Sequence, residues 1–161
     1  MKPPVLMVVE LGANDASLEH GTSSIRYVPV EEYSENLRAI IRITSQAFPS
    51  CEYLILSPPA VDNKKWSPAD KLNNVTQVYA KKCIQVADEL NLPVIDLWNA
   101  TQGKWNLFRG GLHPNIQGNI LFHDLIQAAI AKHYPHLTPN ALPQLYPDVP
   151  PDAVEEEVSI Y

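Results

Sequence analysis

At 161 residues, 45% apolar and 19% charged, the chain has the size and composition of one globular domain with a sizeable core. Its net charge of −6 argues against a general binder of phosphate backbones or anionic membranes, which needs a basic face, so no nucleic-acid partner is expected. Two cysteines, Cys51 and Cys83, without a CxxC or a His/Cys cluster, exclude a structural zinc framework.

In chain order, the stretch from Val5 to Leu11, apolar except for Glu10, reads as a parallel strand buried on both faces. It is too short to span a membrane and lacks a secretory cleavage site. With both cysteines read as reduced packing residues, this suits a cytoplasmic, reducing compartment. Gly12-Ala13-Asn14-Asp15 follows as a tight loop. Pro29 and the pair Glu31-Glu32 mark a helix start, and Tyr33, Leu37, Ile40, Ile41 and Thr44 share one face of a helix closed by Pro49. The next strand is Tyr53-Leu54-Ile55-Leu56. Ser67-Pro68-Ala69-Asp70 has the composition of a helix start, with Ser67 as the cap. Leu72, Val75, Tyr79, Cys83, Val86 and Leu90 then recur at helical steps, with Asn91 as the C-terminal cap. Val94-Ile95-Asp96-Leu97-Trp98 reads as a third strand.

A loop through Trp105 leads to Gly110-Gly111-Leu112-His113-Pro114 and then to a helix from about Asn115 to Lys132, with Ile116, Ile120, Leu121, Leu125 and Ala128 as its buried stripe. The alternation of strand and helix implies a parallel sheet with right-handed crossovers. Residues 1–134 read as the domain, and 135–161 as a proline-rich, acidic arm ending in Glu155-Glu156-Glu157. A strand apolar on both faces that lay at a sheet edge would invite pairing, so another chain or a second copy is the expected cover for the stretch from Val5 to Leu11.

Gly12-Ala13-Asn14-Asp15 and Gly111-Leu112-His113 together resemble blocks of the SGNH (GDSL-type) hydrolases, and of their isoamyl-acetate-hydrolysing branch in particular. Val28-Pro29-Val30-Glu31-Glu32-Tyr33, Ser57-Pro58-Pro59-Ala60-Val61-Asp62, Ile95-Asp96-Leu97-Trp98 and Gly118-Asn119 fit the same branch in the same order. The resemblance implies a flavodoxin-like three-layer α/β/α fold and a serine ester hydrolase without metal or cofactor. It places Asn14 at the oxyanion-hole asparagine and His113 at the general base.

Two parts of that pattern are missing. No Gly-Asp-Ser block occurs in the 161 residues, and Gly110 stands where the family has an aspartate, three positions before the histidine. The chain is therefore expected to begin at the family's third strand, with an N-terminally shortened sheet. Ser17, Ser23, Ser24, Ser57 and Ser67 lie in no strand–turn–helix elbow. Asp96 and Asp124 are not at the motif spacing. In other serine hydrolases, loss of the nucleophile costs roughly a factor of 10⁶ and loss of the orienting carboxylate roughly 10⁴.

The expectation is a degenerate esterase-like protein, inactive by itself, serving as a structural or binding subunit with His113 as a vestigial base. The alternative is a hydrolase of short acyl esters whose nucleophile lies in a missing N-terminal part or on another chain. A weaker third reading is a scaffold that binds partners through the proline-rich arm.

Overall fold

The computed structural model describes residues 3–67 and 70–143. Its main sheet has three parallel strands in sequence order: β1 (Leu6–Glu10), β2 (Glu52–Leu56) and β3 (Val94–Ile95). Helices α1 (Val30–Ala47) and α2 (Asn73–Glu89) cover one face, and α4 (Ile116–His133) covers the other. This is the three-layer α/β/α arrangement expected.

The period of two along β2 builds both layers. Tyr53 and Ile55 point to α1 and α2, where they meet Leu37, Ile41, Cys83 and Val86. Leu54 and Leu56 point the other way, to Phe122, Leu125 and Ile126 of α4. All four of these side chains are buried, as befits the central strand. Helix α1 forms where its spacing and acidic first turn call for it, and its last turn closes with the Phe48 N–H donating to Thr44 O, just before Pro49. Asn91 takes a left-handed conformation (φ 53°) after α2, as its role as a C-terminal cap requires. Cys51 and Cys83 are both buried and free.

Several elements differ from expectation for identifiable reasons. β1 is an edge strand. Only Val9 is buried in it, while Val8 is 43% exposed and the flanking Val5 and Leu11 are 59% and 41% exposed. No described strand pairs with its outer edge, so an apolar run that reads as central is half open. The third strand stops after Ile95 because Asp96 caps a short helix, α3 (Leu97–Thr101), by accepting from the Asn99 N–H at 3.0 Å. Ser67 does not cap α2. That helix begins at Asn73, whose N–H donates to the side chain of Asn63 at 2.7 Å, a cap supplied by a distant loop.

The buried stripe of α4 is rotated from the one expected. Phe122, Leu125, Ile126, Ala129 and Ile130 pack on the sheet, whereas Ile116 and Ile120 are 77% and 48% exposed and Ala128 faces outward. The reason lies at its N-terminus. Gly118 sits directly against Leu107 O and the Pro114 ring, at a distance that no side chain could share, which sets the helix's rotation. The arm after residue 134 begins as a 3₁₀ turn, Pro135–Leu137, and is not extended there. Its acidic end lies outside the described residues.

Candidate functional site

The loop that follows β1 is fixed by three buried groups. Gly12, at φ 111°, lies under the Tyr33 ring, and the Tyr33 hydroxyl donates to Leu11 O at 3.1 Å. Burial raises the pKa of that phenol, which stays a donor. Ser17, fully buried, donates to Asn14 O at 2.8 Å. Lys71 reaches up from below, its Nζ donating to Ala13 O at 2.6 Å and to Ser17 Oγ at 2.8 Å, with Asn14 O at 3.5 Å. Asn14 itself is exposed, and its side chain hydrogen-bonds to no described residue. The loop thus presents a free carboxamide on a rigid base.

The loop that carries His113 is a small antiparallel hairpin. β4 (Phe108–Arg109) pairs with β5 (His113–Pro114), so the histidine lies in a two-residue strand where a plain loop was expected. Gly110 and Gly111 make the reversal, at φ 64° and 86°. Gly111 also packs against Asp62 O and the Trp66 N–H, each 2.8 Å from where a Cβ would be, and its carbonyl accepts from the Asp62 N–H at 2.8 Å. His113 is exposed and hydrogen-bonds through its ring to no described residue. Asn115 follows as the cap of α4, its side chain accepting from the N–H groups of Gln117 and Gly118.

Asn14 and His113 share no hydrogen bond, yet one segment touches both. Trp66 sets its ring edge-on to His113, with centroids 5.8 Å apart, while its indole N–H donates to Asp70 Oδ1 at 2.8 Å. Asp70 Oδ2 accepts from Thr22 Oγ1 at 3.0 Å, and its carbonyl accepts from the Leu18 N–H at 2.8 Å. The hydroxyl of Ser23 holds the buried Asp70 carboxyl well below the usual carboxylate range; burial opposes this, and Trp66 and Thr22 assist it. Lys71 comes next and pairs with Ser17 in an isolated antiparallel bridge. Burial lowers the pKa of its ammonium, and the nearby Asp70 carboxylate pulls the other way.

The serines divide cleanly. Ser57 is buried, with Asp96 Oδ1 3.4 Å away and the Trp98 N–H donating to it at 3.3 Å. Ser17 is committed beneath the loop, Ser23 is half-buried, and Ser24 and Ser67 are exposed. None hydrogen-bonds to His113. Asp96 is spent on capping α3, and Asp124 lies exposed on α4. No group of three or more His, Cys, Asp or Glu side chains placed to hold a metal occurs among the described residues, and no helix among them is long and apolar enough to cross a membrane. A cleft of about 410 Å³ between Asp62, Lys65, Asn73 and Trp105 touches neither Asn14 nor His113, so it is not where these two would act.

Lys71, Asp70 and Trp66 are the members of this constellation that the sequence pattern concealed. One signal was available: counting back four from Val75 puts Lys71 on the apolar face of the α2 series, where a lysine has to be satisfied internally.

A parallel three-layer domain that carries an asparagine on the loop after one strand and a histidine just ahead of the last helix defines a protein of the SGNH hydrolase class. The chain belongs to the GDSL-like lipase/acylhydrolase family, whose model matches residues 1–120. It is 30% identical over 162 aligned residues to a GDSL esterase/lipase of Arabidopsis thaliana, covering 90% of this chain and 66% of the relative. It is 32% identical over 132 residues to the isoamyl acetate-hydrolyzing esterase 1 homolog of Mus musculus, covering 74% of this chain and 53% of that protein. Among solved structures it is similar to the lipase/acylhydrolase from Enterococcus faecalis, with a TM-score of 0.65 and 27% identity over 80% of this chain and 62% of that one. The chain thus spans between about half and two thirds of these relatives.

Proposed function

We propose that this chain, acting alone, is a catalytically silent member of its family. It retains the positions for oxyanion binding (Asn14) and for the base (His113), and serves as a structural or binding subunit. The observation that supports this reading is the fate of the hydroxyls: no described serine is hydrogen-bonded to His113, and the three buried serines, Ser17, Ser34 and Ser57, are committed elsewhere. Acyl transfer through a serine requires a nucleophile within hydrogen-bond reach of its base. Gly110 provides no carboxylate to orient the imidazole. The partner of such a subunit is a polypeptide that covers the open edge of β1, where Val5, Val8 and Leu11 are exposed.

The second reading is an acyl-ester hydrolase in which further polypeptide, covalently continuous or separate, brings the nucleophile. It is favoured by the exposure of both Asn14 and His113, which leaves each free to meet an incoming group. One experiment separates the two. The purified 161-residue chain is offered short-chain acyl esters and a fluorophosphonate probe, and its intact mass is recorded. The silent reading expects hydrolysis at the buffer rate and no adduct. Turnover, or labelling of one specific serine, sinks it.

A further inference from the structure

Lysine is among the residues least often fully buried, and when it is buried it is paired. Lys71 is 1% exposed, and no carboxylate lies within ion-pair distance of it among the described residues. An ammonium has three N–H donors, and those of Lys71 meet three neutral acceptors: Ala13 O, Ser17 Oγ and, more distantly, Asn14 O. Two consecutive carbonyls of the loop are thereby turned inward to one cation. Ser17 closes the ring, accepting from Lys71 and donating to Asn14 O. With both peptide planes fixed from behind, the Asn14 carboxamide has only its own side-chain torsions left. At the other end of the same short segment, Asp70 anchors the Trp66 indole, whose ring edge meets His113.

We propose that Trp66, Asp70 and Lys71 form a clamp that holds the Asn14 carboxamide and the His113 imidazole in one fixed relation, with Lys71 as the positioning residue for Asn14. The inference rests on the reading of Asn14 and His113 as oxyanion and base positions, but it does not require the chain to be active. The clamp grips each loop by separate contacts, the Lys71 donors on one and the Trp66 ring on the other. Whatever supplies a reacting group would then find two of its partners already set.

The test is made by NMR on the full chain. Lys71→Met keeps the apolar stem and removes all three donors. The expected result is a shift of the Asn14 side-chain amide resonances. Hydrogen exchange at residues 13–17 should accelerate at least about tenfold, the factor that one hydrogen bond's net contribution supports. Protection along β2 should fall by no more than the loss of global stability that urea unfolding of the same variant records. Unaltered exchange at those residues overturns the proposal, and so do unmoved Asn14 side-chain resonances, which would make Lys71 a general structural residue. If the variant does not fold, the wild-type chain decides. A slowly exchanging Lys71 ammonium is expected, and one that exchanges as fast as surface lysines overturns the clamp. Asp70→Asn, which weakens the grip on Trp66, is expected to shift the His113 ring resonances, and unmoved resonances overturn the link between the loops. None of these readouts uses turnover. Ester hydrolysis by the wild type would sink the silent reading and leave the clamp standing, whereas unchanged loop exchange would do the reverse.

Discussion

The loop that carries Asn14 is held from beneath by side chains, whereas the hairpin that carries His113 is held by its own backbone. Beneath the first lie Tyr33, Ser17 and Lys71, all buried and all hydrogen-bonded to loop carbonyls or to one another. The second depends on two left-handed glycines, a two-residue ladder and the contact of Gly111 with the loop of Asp62 and Trp66. The first loop is therefore vulnerable to loss of a polar group. The second is vulnerable to any added carbon.

The largest effect is expected from Lys71→Met. It strands Ala13 O, at about 1–3 kcal/mol, and leaves the buried Ser17 Oγ with only its bond to Asn14 O, a second lost hydrogen bond of about 1 kcal/mol, so a loss of about 2–4 kcal/mol should appear in urea unfolding. On the hairpin, Gly111→Ala should cost a comparable amount, about 2–4 kcal/mol. A Cβ there needs a positive φ and meets Asp62 O and the Trp66 N at 2.8 Å. Gly110→Ala faces the same backbone demand in open space, so about 1–2 kcal/mol is expected. If the two glycine variants prove equally costly in thermal melting, the hairpin is not held by Gly111 packing, and the comparison fails on that side.

Asp70→Asn sharpens the comparison through pH. A carboxyl whose folded pKa lies below its unfolded value stabilises the fold above the unfolded pKa. That contribution is lost as pH falls below about 4 toward the folded value. Hydrogen bonds from Ser23, Trp66 and Thr22 put Asp70 in this class despite its burial. Melting temperature followed from pH 7 to pH 2 should therefore decline less steeply in the variant than in the wild type. Parallel curves would show that Asp70 is not held ionised.

The smallest effect is reserved for Gly110→Asp, which restores a carboxylate three positions before His113. Aspartate tolerates a left-handed backbone better than most residues, so a stability change within about 1 kcal/mol is expected. With no described serine at His113, ester hydrolysis by this variant should stay at the buffer rate. A gain in hydrolysis would show that orientation of the histidine, and not the nucleophile, was the missing component.

The elements with long, regular periodicity were legible in the sequence, and so was the three-layer order. Tyr33, Leu37 and Ile41 mark α1, and Tyr79, Cys83 and Val86 mark α2, because burial along one face decides such helices. Elements decided by single polar contacts were not. Asp96 ends β3 by capping α3, and Asn63 caps α2 from ten residues away. A pattern of apolar residues carries neither fact. The rotation of α4 depended on Gly118 meeting a carbonyl from another element, which no periodicity within the helix reveals. For the candidate site, the motifs singled out Asn14 and His113, but the segment that ties them together looked like the start of a helix. Its aspartate and lysine owe their roles to groups roughly fifty residues earlier in the chain.

Tyr134 has a consequence of another kind. Its hydroxyl donates to Tyr53 O at 2.6 Å, so the chain just past α4 is bolted to the central strand. That bond joins the C-terminal end of the helix on one face of the sheet to the strand at the sheet's centre, so a single phenol ties two layers together where no strand pairing does.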